Sequence, residues 1–519
     1  MKKGSEILIK ELERHGTEIV FGYPGASVLS LYDELSRSNI RHVLPADERG
    51  AVFMANGYAR STGKVGVCIA TSGPGATNLV TGIADAFSDS VPLVVITGTV
   101  SVETHGHDGF QEVDTTGITM PVTKYNYIVK DVKDLSFAVA EAFFVATSGR
   151  KGPVLIDIPT NVFDELCDYV PKTITKKTKS PVDTSEVENA VKLVNSSKRP
   201  LIYAGGGVHQ SNTADLVKKL SKTIGAPIGV SMRGIGVTDS DDDLFIGVST
   251  AKNKLAKRAL KEADLLISVG ARFSSKATEK SFYNKNLKLL HLDVDPAEID
   301  KNHQSDARIT GDLSDTLPAL LNLVNGKEKW FAKGADAPEK PTTVHEYMNV
   351  LCKHFGRDAY VTTDVGQHQL YVVNYFDFSS KGRLITSAGL GAMGFGIGSA
   401  CGVAFGTKKR VLYVTGDGSF NMSFNELITI KTYDLPVVSV IFDNSSLGMI
   451  REIQMKKYEG NVVDSNIPVG GDYVALSSAF GIPAYRVETV NQLENILNTI
   501  DLNSPAVIHV KLKRQENVL

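Results

Sequence analysis

One tryptophan and four cysteines are all that 519 residues hold of either type. Cys68, Cys167, Cys352 and Cys401 stand singly, with no C-x-x-C pair, so neither a zinc ribbon nor a dithiol redox centre is encoded. An excess of one charge is missing as well. Lys plus Arg number 56 against 58 Asp plus Glu, which leaves no field to draw the chain to nucleic acid or a membrane surface. No run approaches the roughly 18 apolar residues of a membrane span. The opening MKKGSEILIKELERHG is basic but interrupted by Glu6 and Glu11, so it predicts an amphipathic helix over Ser5–His15, not an export signal. A cytoplasmic location is the expectation. Short-period repeats are absent too.

What the chain has is alternation. Short β-branched runs such as GVCIA, PLVVITG and GPVLIDIP alternate with helical patterns, which predicts an α/β protein with doubly wound parallel sheets. Two polar stretches, PKTITKKTKSPVDTSE and NGKEKWFAKGADAPEKP, read as linkers. They predict three such domains: 1–165, 186–325 and 343–519.

The most informative stretch begins at VLYVT, Val411–Thr415. This strand enters the turn Gly416-Asp417-Gly418. Phe420, Phe424, Leu427 and Ile428 then predict a helix with one apolar face, and VVSVIF predicts a second strand ending at Asp443-Asn444. A βαβ crossover brings the carboxyl ends of both strands to one sheet edge, where ligands bind in open α/β sheets. Asn444, 27 positions after Asp417, then stands beside it. One carboxylate and one amide oxygen suit magnesium, which keeps positions for water and phosphate oxygens. Gly416 and Gly418 would let a diphosphate approach the backbone. A GDG turn alone is more often an ordinary capped βα turn. With the strand-terminal Asn at this separation it is far more specific.

GDG followed by Asn-Asn resembles the thiamine-diphosphate motif, with Asp443 in place of the first Asn. The resemblance implies thiamine diphosphate and Mg2+ as cofactors, with Asp417, Asn444 and the carbonyl of Ser446 as metal ligands. It also implies three domains, for pyrimidine, centre and diphosphate. PADERGAVFMANGYAR resembles the family's H-E-Q-G-A…M-A-x-G-Y-A-R stretch, with Asp47 and Arg49 replacing His and Gln. Glu48 is then the carboxylate at the pyrimidine ring nitrogen, although an isolated Glu there would read as a helix N-terminal residue favoured by the dipole.

ATSGPGATNLVTGIADAFSDSVPLVVITG, GFQEVDTTGIT, ATSGRKGPVLIDIP and SLGMIREIQ narrow the likeness to the catalytic subunit of acetohydroxyacid (acetolactate) synthase. That implies Val365, Gly366, Gln367, His368, Gly418 and Ser419 near the diphosphate, and Gly391 and Met393 at the pyrimidine. Met449 joins the cofactor-binding set. Gly25, Phe110, Gln111 and Lys124 match positions lining the reaction pocket, Lys124 being of a type usually solvated. Glu48 would act in trans to Asp417, which implies a homodimer or dimer of dimers. A small regulatory subunit is a further partner the family suggests.

Departures cluster in the middle. The family's G-M-H-G and R-F-D-D-R-V-T-G read GVSTAKN and RFSSKATEK here, with Gly247 and Arg272 kept but Ser274, Ser275 and Lys276 substituted. The family's non-redox FAD is therefore left open, although GGG at Gly205–Gly207 follows a strand. Ile453 stands where the family has a Trp that favours 2-ketobutyrate as acceptor, and the C-terminus stops short of the usual tail. The expected function is decarboxylation of pyruvate and ligation of the two-carbon unit to a second 2-keto acid. Transfer to a different acceptor such as a keto-sugar nucleotide, and a non-catalytic cofactor-binding partner, are the alternatives.

Overall fold

The structure, a computed structural model, describes residues 1–174, 181–249, 253–274, 287–334, 342–467 and 471–513. It holds three six-stranded parallel sheets with helices between the strands. The first is built from β1 (Ile19–Gly22), β2 (Arg41–Val43), β3 (Gly66–Ala70), β4 (Leu93–Thr99), β5 (Tyr125–Ile128) and β6 (Pro153–Pro159). Its order is β2-β1-β3-β4-β6-β5. The central sheet comprises β7 (Pro200–Ala204), β8 (Ile228–Val230), β9 (Phe245–Val248), β10 (Leu265–Val269), β11 (Lys288–Asp293) and β12 (Ala307–Thr310), ordered β9-β8-β7-β10-β11-β12. In the third are β13 (Tyr360–Thr363), β14 (Arg383–Thr386), β15 (Val411–Gly416), β16 (Val437–Asp443), β17 (Ala484–Val487) and β18 (Ala506–Lys511), ordered β14-β13-β15-β16-β18-β17. Counted within each sheet, the first and third share one strand order, so they are structural twins.

Two compact units result. One contains Met1–Lys177, Tyr360–Leu370 and Ile385–Leu519, and so the bulk of the twin sheets; the other contains Thr178–Ala359 and Tyr371–Leu384. Helix Thr343–Phe355 groups with the second unit.

Alternation explains why the first sheet is covered on both faces. Val67 and Ile69 of β3 join one apolar core with Val94, Ile96, Val154 and Ile156, while Cys68 and Ala70 face another. That second core also contains Tyr413, Val437 and Ile441 of the third sheet. At its centre the helix α1 (Glu48–Thr62) crosses a later helix, Phe395–Thr407. A Cβ at Gly57 would collide with the Ser399 carbonyl, and one at Gly402 with the Met54 carbonyl. Glycine at both places lets the backbones touch, which explains the glycine of MANGYAR.

The helix expected after the GDG turn is broken. Asp417–Phe420 is helical, Phe424–Glu426 is a 3-10 turn and Leu427–Thr432 is helical again. The bonds from Met422, Ser423 and Glu426 N–H groups run three residues back, and Arg49 takes the Met422 carbonyl. Ile428, expected on the apolar face, is exposed.

Candidate active site

Each twin sheet reverses its winding between its first and third strands, and crevices open at the carboxyl ends of strands at such a point. In the first sheet these strands are β1 and β3, paired Phe21↔Cys68 and Gly22↔Ile69. Just beyond them, Gly25 lies on Thr71, whose Cβ a Cβ at Gly25 would approach to 2.5 Å. Ser27 Oγ and Thr71 Oγ1 are 2.9 Å apart, and Ser27 Oγ accepts the Ser72 N–H at 3.0 Å. Gly73 has φ +58°, and any side chain there would press on Gln111, itself at φ +60°.

Glu48 faces the same turn. Asp47 caps α1 by accepting the Gly50 N–H at 2.7 Å, which sets Glu48 as the first helical residue. Its Oε2 accepts from Asn78 Nδ2 at 2.9 Å, and its Oε1 would lie 3.2 Å from a Cβ at Gly75. Glu48, Gly25 and Gln111 therefore gather around Thr71–Gly75. Phe110 is 85% exposed. Lys124 donates to the carbonyls of Val145 and Ser148, at the C-terminal end of helix Leu135–Thr147.

In the third sheet the reversal falls between β13 and β15. Val365, Gly366, Gln367 and His368 follow β13, and Asp417 to Ser419 follow Gly416, the last residue of β15. A Cβ at Gly416 would stand 2.7 Å from His368 Nδ1, and one at Gly418 would meet Leu447 at 2.7 Å and Met393 at 3.9 Å. Ser419 Oγ donates to the Val365 carbonyl at 3.1 Å. From β16, Asn444 Nδ2 donates to Gln367 Oε1 at 2.9 Å, and Asn444 Oδ1 accepts the Ser446 N–H at 3.1 Å and its hydroxyl at 2.9 Å. Met449 lies in helix Gly448–Lys457, immediately after this strand end.

Electrostatics single out two atoms. Asp417 Oδ2 and His368 Nε2 are buried and have no hydrogen-bond partner. Burial, and then the neighbouring Asp443, raise Asp417 above the usual carboxylate range. Asp443 is buried too, yet hydrogen bonds from His509 at 2.8 Å and Lys511 at 2.9 Å hold it well below that range. Burial pushes His368 down to about 3, so its ring is neutral. An unpartnered carboxylate oxygen at the end of β15, with an amide oxygen following the paired strand β16, is a donor set that would suit a hard divalent cation. The Ser446 hydroxyl is the group that would turn away.

Two buried acids beside these clusters escape a reading of motifs. Asp364 accepts from Tyr413, from Thr415 Oγ1 at 2.7 Å and from the Gly396 N–H at 2.7 Å. Glu452 accepts from Gln367 Nε2 at 3.2 Å and from Lys456 at 3.0 Å. A carboxylate ending a strand, as Asp364 does, was the one signal available. Glu452 sits in a helix of mixed polarity and gives none.

Comparison with known proteins sets these clusters in a family. Residues 2–118 match the N-terminal TPP binding domain of thiamine pyrophosphate enzymes, 187–320 their central domain and 364–510 their C-terminal TPP binding domain. The acetolactate synthase isozyme 2 large subunit of Escherichia coli (strain K12) is 37% identical over 530 residues, covering 99% of this chain and 96% of that one. The chain belongs to the acetolactate synthase large-subunit family of thiamine pyrophosphate enzymes. A probable acetolactate synthase large subunit of Methanocaldococcus jannaschii is also 37% identical, over 99% of this chain and 92% of its own. Acetolactate synthase 2, chloroplastic, of Nicotiana tabacum is 36% identical, over 100% and 83%. Each cluster falls within one of the two TPP binding domains, Glu48 with Gln111 in the first and Val365 to Ser446 in the last. Lys124 lies just beyond the first match.

Proposed function

We propose that this enzyme uses thiamine diphosphate and Mg2+ to decarboxylate pyruvate and join the two-carbon unit to a second 2-keto acid, giving 2-acetolactate. The observation that carries the proposal is the unpartnered Asp417 Oδ2 at the end of β15, the strand paired with β16 that leads into Asn444, in a domain matched to TPP binding. Asp417, Asn444 and the Ser446 carbonyl would hold the metal. Gln367, His368, Gly418 and Ser419 would receive the diphosphate, with Val365, Gly366 and Met449 alongside, and Gly391, Met393 and Glu48 the pyrimidine. When bound, the cofactor supplies a thiazolium carbon able to attack a keto group. Glu48 would hold a proton at the pyrimidine nitrogen, while Gly25, Phe110 and Gln111 shape the space for the keto acids. Lys124 is left out of the pocket, because its ammonium is engaged at a helix end.

Assembly is part of the proposal. Glu48 and Asp417 hang from different sheets, and Phe110 is turned to solvent. A homodimer, or a dimer of dimers, in which Glu48 completes the partner's site would use all three. Sedimentation as a monomer under assay conditions would remove this part. The relatives are named large subunits, which supports a small regulatory partner. Among the described residues no helix is long and apolar enough to cross a membrane.

FAD stays outside the proposal. In the central unit the Gly205–Gly207 turn is explained by packing, since a Cβ at Gly207 would stand 2.8 Å from Gly270 Cα and one at Gly206 3.2 Å from Arg233. Ser275 and Lys276 lie outside the described residues. The absorption spectrum of purified protein decides the matter.

The test of the whole is product analysis with pyruvate, Mg2+ and thiamine diphosphate. Acetolactate and carbon dioxide in equal amounts are expected. Carbon dioxide only when another acceptor is supplied would favour the alternative carboligase, and no release at all a non-catalytic role.

A further inference from the structure

The segment carrying Gly391 and Met393 is held at its feet and free at its tip. Thr386 and Ser387 are buried, Gly389, Leu390 and Gly391 are exposed, and Ala392 is buried again. The loop is not helical, because Gly394 turns left-handed and the helix begins only at Phe395. Without helical hydrogen bonds, this loop must be fixed by something else.

That something is a buried charge cluster contributed by the first TPP binding domain. The Arg60 guanidinium reaches Asp85 at 3.1 Å and Asp89 at 2.9 Å, with both carboxylates fully buried. Its other nitrogens donate to Asn56 Oδ1 at 2.6 Å and to the Thr386 carbonyl at 2.9 Å. Buried carboxylates need hydrogen-bond donors as well as a counter-charge, and the loop supplies some of them. Asp89 accepts the N–H groups of Ala388 at 3.1 Å and Gly389 at 3.0 Å. Asp85 accepts from the Ser387 hydroxyl, which in turn accepts the Ala392 N–H at 2.8 Å. Arg60 also lies over the Phe395 ring, 5.3 Å from its centroid. Cluster and loop are therefore joined by four hydrogen bonds, from the Ser387 hydroxyl, the Ala388 and Gly389 N–H groups and Arg60.

We infer that Arg60, Asp85 and Asp89, together with Ser387, are positioning residues that set the 388–393 loop to receive the cofactor's pyrimidine. The inference rests on the cofactor reading above. It gives a role to three residues that the resemblance leaves without one, from a domain other than the one that carries the loop. Loop preorganisation lowers the cost of ordering on binding, so loosening the loop should weaken cofactor affinity more than it weakens the fold.

Ser387→Ala in the full chain tests this, with Asp89→Asn as the stronger variant. Thiamine diphosphate with Mg2+ is titrated calorimetrically into apo protein, and apo melting is followed separately. Ser387→Ala should melt within about 4 °C of wild type. Its cofactor dissociation constant should rise about 10-fold to 100-fold, as for outer-shell partners of bound ions. Wild-type affinity in Ser387→Ala, with or without a lower melting temperature, would overturn the positioning role. Failure of the wild-type protein itself to bind thiamine diphosphate would bring down the cofactor reading first, so the two failures are distinguishable.

Discussion

Glu426 grips the Ala46 N–H with both carboxylate oxygens, at 3.1 and 3.2 Å, two residues before Glu48. The same carboxylate lies so close to Gly50 that no side chain fits there. An acid 380 residues away in sequence thus fixes the entry to α1.

That acid is pH-sensitive. Burial pushes Glu426 up to about 7 from its ordinary 4.5, against the pull of Thr429 and of the Ala46 N–H. Because the folded value lies above the unfolded one, its stabilisation is complete below the unfolded value and is lost as pH rises through about 7. Glu426→Gln stays neutral throughout. The melting temperature of the variant minus that of wild type should climb between about pH 5 and pH 8. A flat difference would mean that Glu426 is charged throughout that range.

The glycine crossing gives a stability prediction. Gly402→Ala puts a methyl group into the Met54 carbonyl, and the two helices must separate. Overpacking of this kind costs about 1–3 kcal/mol. Denaturant unfolding that leaves the midpoint unchanged would show that the crossing is looser than described.

How much of this was legible in the sequence follows from chain distance. Asp417 and Asn444 could be placed together because a single βαβ unit joins them, and Glu48 because its helix cap is local. Nothing local couples Glu426 to Ala46, or Asp89 to Gly389, since those pairings follow from the packing of the twin sheets. A lysine in a matching stretch carries no sign of where its ammonium ends, and that of Lys124 ends at helix carbonyls. The apolar spacing after the GDG turn suggested one helix, whereas Arg49 and the 3-10 bonding divide it.

Asp417 should trade stability for function. Its Oδ2 has no partner and Asp443 stands nearby, so the apo protein gains nothing from the charge. Asp417→Asn should melt at or above wild type without ligand, yet show no added stability with Mg2+ and thiamine diphosphate. Normal ligand stabilisation of that variant would remove Asp417 from the metal site.

Ile453 bears on the acceptor. It is 37% exposed in the helix that follows Asn444, where a large flat side chain would pack an extra methyl group. One methylene is worth roughly 1–3 kcal/mol, or about 10–200-fold. Wild type should therefore use pyruvate and 2-ketobutyrate as acceptors at comparable rates, and Ile453→Trp should favour 2-ketobutyrate. A competition assay showing strong wild-type preference for 2-ketobutyrate would place that selectivity elsewhere.

Glu48→Gln, assayed for both cofactor binding and acetolactate formation, tests the central claim most directly. The amide keeps the shape of the carboxylate and its place beside Asn78. It loses the acid that would hold a proton at the pyrimidine nitrogen, a contribution of about 100-fold to 10,000-fold for general acid–base groups. The account predicts that the variant binds thiamine diphosphate and Mg2+ while acetolactate formation falls by that factor. Acetolactate made at the wild-type rate by Glu48→Gln would contradict it.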